Sequence, residues 1–251
     1  MQSPTIAAAS SPRAPLSLGS GAIRRARVTD RAPSPVVVAV LSAVAFAVSY
    51  GVAVANPWGQ TVDTAMMAAT ARALGEPVWA QMVLDLVAPI SVLAAAALLA
   101  GIALLRRRPV VAAYAFGVAI VTPVAASVLK NWLDRPYLGV DDLLNSLPSG
   151  HVAAVAGLVA AAWFVTAPAW RAVWAVVGAA GVAVTGLATI ALRWHRPSDV
   201  AAAIALATFV AAVAAGLDRR RRSDHRPERR PGSEIEPGAV PSRHRALRPD
   251  Q

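Results

Sequence analysis

Six long runs of the sequence contain no Asp, Glu, Lys or Arg side chain. They cover residues 36–55, 86–105, 109–129, 150–170, 172–192 and 200–217. Each run is close to the ~20 apolar residues that a helix needs to cross the hydrocarbon core of a bilayer. The runs do not alternate between apolar and polar residues, and an open sheet would leave backbone groups unsatisfied in lipid. The sequence therefore predicts an all-α fold, a six-transmembrane-helix bundle.

The positions of the basic residues predict how this bundle is oriented. Of the 24 Lys and Arg residues, nineteen lie before the first run, between the second and third, between the fourth and fifth, or after the sixth. With six spans, these four regions share one side of the membrane, and the positive-inside rule makes that side the cytoplasm. Both termini are thus predicted to be cytoplasmic. The net charge of +10 is explained by topology, so no nucleic-acid partner is expected.

The chain is expected to have three parts. Residues 1–34 form a basic N-terminal tail, residues 35–218 form the membrane domain, and residues 219–251 form a basic C-terminal tail. Both tails are rich in Pro, Ser and Arg, which favours disorder. Residues 61–75, between the first two runs, favour a short interfacial helix on the outer membrane surface, with a folded connecting loop as the alternative.

The sequence contains no cysteine, which excludes disulfide bonds, thiolate nucleophiles and any Cys-ligated metal. A zinc site would have to combine histidines with carboxylates, because zinc takes three or four N, S or O ligands from the protein. We therefore predict no metal site and no cofactor.

Ionisable side chains are concentrated in two loops on the predicted outer face. Lys130 ends the third apolar run, Arg135 follows it, and His151 opens the fourth run. His195 and Asp199 lie between the fifth and sixth runs. Ionisable groups at the ends of membrane helices are costly unless they are paired or functional, so these residues are candidates for one site.

The chemistry of these loops favours binding of a phosphate group. Lys130 and Arg135 are cationic donors, and the arginine fork matches phosphate oxygens. Ser149 and Gly150 lie where the fourth helix is predicted to begin, and the unpaired N–H groups at a helix start attract an anion.

Two histidines are suited to proton transfer near neutral pH, His151 and His195. Asp199 follows His195 by four residues, which is about one helical turn. Its carboxylate is thus placed to bond the far ring nitrogen and to fix the tautomer. Each residue taken singly also has a structural explanation, such as a helix cap or a snorkelling cation. The combination of three segments on one face favours a functional site.

Together these residues resemble the signature of the type-2 phosphatidic-acid phosphatase superfamily, which includes lipid phosphate phosphatases, soluble bacterial acid phosphatases and vanadium haloperoxidases. The family pattern is K-x6-R-P, then P-S-G-H, then S-R-x5-H-x3-D. Residues 148–151 form the complete second motif, His195 and Asp199 keep the end of the third, and Lys130 keeps the start of the first. The resemblance extends over roughly residues 36–217.

The resemblance implies a mechanism without a metal ion. His195 is the expected nucleophile, which forms a phosphohistidine, and Asp199 supports it. His151 is expected to protonate the leaving oxygen. The residues implied to hold the phosphoryl oxygens are Lys130, Ser149 and Gly150.

The sequence departs from the family pattern at both arginines. Tyr137 stands seven residues beyond the lysine, where the family has arginine, and Arg135 is the nearest replacement. Ala188 and Thr189 stand where the third motif has Ser-Arg, and Arg193 is the nearest cation there. Losing such a donor costs about 10²–10³ in rate. Either Arg135 and Arg193 bind substrate in place of the missing pair, or the enzyme is slow, altered in substrate or no longer a catalyst.

The sequence therefore predicts a membrane phosphatase acting on a lipid phosphate or diphosphate, with its active site facing away from the cytoplasm. A polyprenyl (di)phosphate, phosphatidic acid and phosphatidylglycerol phosphate are all candidate substrates, and a bacterial plasma membrane is the expected location. The alternative is a catalytically inactive protein that binds or carries lipid phosphates on the same fold. A vanadium-dependent peroxidase is disfavoured, because that branch is not built from spanning helices.

Overall fold

The computed structural model describes residues 33–75, 77–140 and 145–224. In these ranges the chain forms eight α-helices and one 3₁₀ turn, Pro168–Trp170. The helices are α1 (Pro35–Ala53), α2 (Pro57–Leu74), α3 (Val78–Leu86), α4 (Pro89–Leu105), α5 (Pro109–Trp132), α6 (Gly150–Val165), α7 (Arg171–Ala191) and α8 (Pro197–Asp224). The predicted all-α fold class is confirmed for this part of the chain. Most residues of the two predicted tails lie outside the described ranges.

Local sequence signals explain where many of the helices begin. Five of them, α1, α2, α4, α5 and α8, start with proline, whose missing N–H would be unpaired in the first turn anyway. Side-chain oxygens cap three starts: Ser34 accepts from Val37 N before α1, Asn56 from Gly59 N before α2, and Ser149 from Val152 N before α6.

Four helical segments are long and apolar enough to cross a membrane, namely α1, α5, α8 and α7 with its preceding 3₁₀ turn. Helices α3 and α4 together form a fifth candidate, bent by 50° at a short break before Pro89. Helix α6 is apolar but has only 16 residues. Length and composition thus give four or five spans in the described residues, whereas the sequence predicted six. The difference has two causes. The second predicted span is bent where α3 meets α4, and the fourth predicted span ends early because α6 stops at Val165.

Helix α6 lies at the centre of the bundle and packs against α4, α5, α7 and α8. Small residues make this possible, because half of its positions are buried and most of those are alanine. At Gly157 an added Cβ would lie 3.0 Å from Cβ of Thr122 on α5, so the two helices approach closely there.

Helix α2 packs against α1, α7 and α8 rather than lying apart from the bundle. An added Cβ at Gly59 would lie 1.7 Å from the backbone oxygen of Val52, so α1 and α2 meet backbone to backbone. One face of α2 is buried along its length and includes two polar side chains, Gln60 and Asp63. Through Asp63, which accepts a hydrogen bond from Ser198 N, this face of α2 contacts the start of α8 at the candidate site.

Candidate functional site

The starts of α6 and α8, the end of α5 and the loop between α7 and α8 meet at one end of the bundle. A backbone hydrogen bond of 3.1 Å from Ser149 N to Asp199 O ties the first residues of α6 and α8 together. Ser149 and Asp199 are fully buried. The two sequence motifs that contain these residues therefore form one structural unit.

The pair predicted from the four-residue spacing is present. His195 Nδ1 lies 3.2 Å from Asp199 Oδ2, and both side chains are buried. When the carboxylate accepts a proton-bearing Nδ1, the opposite ring nitrogen, Nε2, carries a free lone pair. In that tautomer the geometry leaves Nε2 of His195 with a lone pair that is not used in the contact with Asp199.

Asp199 Oδ2 accepts two further hydrogen bonds. Ser146 Oγ donates at 2.6 Å, and the backbone N–H of Arg196 donates at 2.8 Å. The guanidinium of Arg196 donates in turn to Ser146 Oγ at 3.0 Å. Because a guanidinium can only donate, the Ser146 hydroxyl must direct its proton at Asp199. These contacts stabilise the ionised carboxylate that orients His195.

His151 and Lys130 complete a cluster of ionisable side chains around the His195–Asp199 pair. His151 lies within electrostatic range of both His195 and Lys130, and Lys130 lies within electrostatic range of Asp199. The ring of Trp194 covers His151 on one side, with 5.8 Å between the ring centroids. The structure therefore brings together Lys130, His151, His195 and Asp199 from three separate segments of the chain.

The first turn of α6 offers backbone donors. The Ser149 amide bonds to Asp199 O and its hydroxyl accepts from Val152 N at 3.5 Å, so Ser149 is occupied as a cap. Among the described residues, the amides of Gly150 and His151 have no hydrogen-bond partner. A Cβ added at Gly150 would meet no atom within 4 Å. Open space therefore lies over the helix start, where an anion is favoured.

Arg135 and Tyr137 differ sharply in their surroundings. The Tyr137 side chain is 73% exposed. All three guanidinium nitrogens of Arg135 are buried, although its stem is partly exposed. Arg135 lies two positions before the place where the family has its arginine, and its charged group is buried in the protein.

Thr189 and Arg193 also differ. Thr189 is fully buried, and its hydroxyl donates to Gly186 O at 2.8 Å within α7. Arg193 has φ of +56° because it follows the cap of α7, with Arg193 N bonded to Ile190 O and Trp194 N bonded to Thr189 O. This pattern is a Schellman motif, in which glycine is the usual residue.

The Arg193 side chain is exposed and lines an open cavity of about 510 Å³ between the end of α2, the start of α3 and the end of α7. The other lining residues are Ala71, Gly75, Pro77, Val78, Gln81, Ala191 and Leu192. No described hydrogen bond or ion pair joins Arg193 to His195 or Asp199. The cavity lining also includes none of Lys130, His151, His195 and Asp199, so Arg193 lies outside the contacts of the His195–Asp199 pair although it is close to His195 in sequence.

Four residues of this site were not singled out from the sequence: Asn145, Ser146, Arg196 and Asp63. Asn145 Nδ2 donates to the backbone oxygens of Lys130, Leu133 and Leu147, which holds the segment before the P-S-G-H motif. In the sequence, only their position next to a motif could have indicated Asn145, Ser146 and Arg196: the first two precede the P-S-G-H motif, and Arg196 follows His195. Asp63 carried no such signal, because it reaches the site from α2.

The described residues contain no cluster of three or more His, Cys, Asp or Glu side chains that fits a metal ion. The carboxylates near the site are used in hydrogen bonds to neighbouring protein groups. Asp199 binds His195 and Ser146, and Asp63 binds Ser198.

Comparison with known proteins agrees with the motifs. A family model described as the PAP2 superfamily matches residues 89–223, which is more than half of the chain. The fold is similar to the crystal structure of the first transmembrane PAP2 type phosphatidylglycerolphosphate phosphatase from Bacillus subtilis. That match has a TM-score of 0.58 and 19% identity, over 74% of this chain and 96% of the other. No curated protein sequence matches the chain significantly. The protein belongs to the PAP2 superfamily, the type-2 phosphatidic-acid phosphatase group that its motifs resemble.

Proposed function

We propose that this protein is a membrane phosphatase that hydrolyses a lipid phosphate or diphosphate through a phosphohistidine intermediate. The observation that carries the proposal is the buried His195–Asp199 pair, with a 3.2 Å contact, beside the open start of α6. Family membership supports the reaction class. The similar Bacillus subtilis structure supports the fold on which this chemistry is placed.

In the first step, Nε2 of His195 attacks the phosphorus atom of the lipid phosphate. The new N–P bond forms as the P–O bond to the lipid breaks, and His151 donates a proton to the leaving oxygen. Asp199 stabilises the positive charge that develops on the His195 ring. The products of this step are a lipid alcohol, or a lipid monophosphate from a diphosphate, and phosphohistidine at His195.

In the second step, water attacks the phosphohistidine. His151, now neutral, accepts a proton from the water as the N–P bond breaks. Inorganic phosphate leaves, and His195 and His151 return to their starting protonation states. No outside acid, base or metal is needed for atoms and charge to balance over the two steps.

The negative charge of the transferring group needs preorganised donors. We assign this role to Lys130, the buried guanidinium of Arg135, and the first turn of α6 that Ser149 caps. In that turn the amides of Gly150 and His151 are the donors left for the phosphoryl oxygens. Arg135 thereby replaces the arginine that the family has at Tyr137.

Arg193 is assigned a separate substrate contact in the cavity of about 510 Å³. The cavity combines the Arg193 guanidinium and the Gln81 amide with apolar lining residues, which suits the part of a lipid phosphate that is not transferred. The substrate is then a polyprenyl (di)phosphate, phosphatidic acid or phosphatidylglycerol phosphate, bound from the outer leaflet. The distribution of basic residues supports a site on the extracytoplasmic side of the membrane, and a bacterial plasma membrane is the proposed location.

The test is phosphate release by purified protein in detergent with excess EDTA, comparing the four lipids: polyprenyl diphosphate, polyprenyl phosphate, phosphatidic acid and phosphatidylglycerol phosphate. Release that persists in EDTA and falls at least about 10³-fold in His195→Ala supports the proposal. Release that survives that substitution, or that EDTA abolishes, contradicts it. Tight binding of lipid phosphate with no release from any of the four supports the inactive binder or carrier instead.

The extracytoplasmic face is tested separately by cysteine labelling, for which the natural chain offers a cysteine-free background. Tyr137→Cys lies in the loop between α5 and α6, and Arg108→Cys lies between α4 and α5. An impermeant maleimide added to intact cells should label the first and not the second. The opposite pattern would invert the proposed topology.

A further inference from the structure

Helix α2 contacts the loop and first turn that carry the nucleophile. Asp63, buried on α2, accepts a hydrogen bond from Ser198 N at 3.0 Å on Oδ1. Its second oxygen, Oδ2, accepts a short hydrogen bond from Ser198 Oγ. Both donors belong to the first turn of α8, between His195 and Asp199. The Asp63 carboxylate therefore holds the segment that sets the distance between His195 and Asp199.

A second contact runs from the next residue of α2 to the same loop. Thr64 Oγ1 accepts a hydrogen bond from Arg196 Nε at 3.2 Å. Arg196 also bonds to Ser146, and Ser146 bonds to Asp199 Oδ2. A continuous series of hydrogen bonds thus leads from α2 to the carboxylate that orients His195.

The position of Asp63 is energetically costly unless its contacts are made. Burial raises the pKa of Asp63 above its usual value, whereas the hydrogen bonds from Ser198 oppose that shift. The other charged groups that act on it in the described residues are Asp199, which also raises its pKa, and Arg196, which lowers it. A buried carboxylate near another carboxylate destabilises the fold unless hydrogen bonds offset the cost, and Ser198 supplies two such bonds.

We propose that α2 fixes the catalytic loop through Asp63 and Thr64, and that Asp63 is a positioning residue for the phosphoryl transfer assigned to His195. This inference rests on the proposed function. Asp63 does not touch the reacting phosphate; it acts through Ser198 on the geometry of the His195–Asp199 pair. Misplacing that pair affects the transition state more than substrate binding, so kcat changes and KM does not.

The test compares Asp63→Ala, Asp63→Asn and Met67→Ala in purified full-length protein. Met67 is the matched control, because it is buried one turn further along the same face of α2. We expect Asp63→Ala to lower kcat about 10-fold or more with little change in KM. Asp63→Asn keeps an oxygen for Ser198 N and should recover much of that loss. Met67→Ala should lower the unfolding temperature and leave kcat unchanged.

A double-mutant cycle shows whether Asp63 acts through Ser198. Ser198→Ala should lower kcat in the wild-type background and have no further effect in Asp63→Ala, because the contact is already lost. Additive losses would overturn the inference. An Asp63→Ala variant with wild-type kcat, or a Met67→Ala variant with an equal loss of kcat, would overturn it too.

A measurement that needs no turnover separates this inference from the proposed function. The rate at which diethylpyrocarbonate modifies His195, followed by mass spectrometry, should rise in Asp63→Ala and not in Met67→Ala. Equal modification rates in the wild-type protein, Asp63→Ala and Met67→Ala would overturn the inference. If the protein released no phosphate but these rates still differed, the proposed function would fail and the role of α2 in holding His195 would stand.

Discussion

Ser146 and Asp199 are 53 residues apart in sequence, yet the Ser146 hydroxyl donates a 2.6 Å hydrogen bond to Asp199 Oδ2. This contact joins the segment before the P-S-G-H motif to the carboxylate that contacts His195. Because Arg196 donates to the same hydroxyl, the proton of Ser146 is directed at Asp199. The site is thus ordered by a residue outside the family signature.

The first prediction concerns this hydroxyl. Ser146→Ala removes a hydrogen bond to a charged group, which contributes about 1.5–3 kcal/mol. We expect kcat for phosphate release to fall by roughly 10-fold, with KM little changed. Ser127→Ala, at an exposed position of α5, is the control and should behave as wild type. An unchanged kcat in Ser146→Ala would show that Asp199 does not depend on this contact.

The second prediction concerns the displaced arginine. Arg135→Ala should lower kcat/KM by about 10²–10³, because a charged donor is lost from the transferring phosphate. Tyr137→Phe should have no effect, since the Tyr137 side chain is 73% exposed. In the Arg135→Ala background, Tyr137→Arg should restore part of the activity from the position that the family uses. If Arg135→Ala were fully active, Arg135 would have no part in catalysis.

The third prediction uses the two residues with left-handed backbone that are not glycine, Arg107 and Arg193, each with φ of +56° in the described chain. Glycine suits both positions, so Arg107→Gly and Arg193→Gly should unfold at temperatures no lower than wild type. Only Arg193→Gly should raise KM for the lipid phosphate, because Arg193 lines the cavity assigned to the substrate and Arg107 does not. A KM that stays at the wild-type value in Arg193→Gly would remove Arg193 from the substrate contacts.

The fourth prediction concerns the approach of α1 to α2. Gly59→Ala places a Cβ 1.7 Å from the backbone oxygen of Val52, so the helices must separate, at a cost of about 3 kcal/mol or more. Gly51→Ala, on α1 with no atom within 4 Å of the new Cβ, is the matched control. Thermal unfolding in detergent should show a lower midpoint for Gly59→Ala and an equal or higher one for Gly51→Ala. Equal unfolding midpoints for the two variants would mean that the close approach of α1 and α2 at Gly59 does not stabilise the fold.

Short-range patterns predicted much of the candidate site. The spacing of His195 and Asp199 indicated their contact, because Pro197 begins a helix and four residues make about one turn. The P-S-G-H motif predicted the start of α6, whereas the cap at Ser149 was found only in the structure. The apolar runs predicted an all-helical membrane fold, since only helices and closed barrels satisfy their backbone in lipid and these runs do not alternate as barrel strands do.

Contacts between distant segments could not be predicted in the same way. Asp63 and Ser198 are 135 residues apart, and no periodic pattern links them. The inward direction of the Arg135 guanidinium depends on the fold of the loop after α5. The bend between α3 and α4 depends on how both helices pack, although Pro89 marks the position where α4 begins.

The most direct test of the account is to trap the phosphoryl group on His195. Purified protein is mixed with ³²P-labelled lipid phosphate, quenched in alkali, and digested for mass spectrometry. Phosphohistidine is stable in alkali and labile in acid, so label should be found on the peptide containing His195, disappear on acid treatment, and be absent from His195→Asn. Phosphate release that continues with no label on His195, or at the wild-type rate in His195→Asn, would contradict the account.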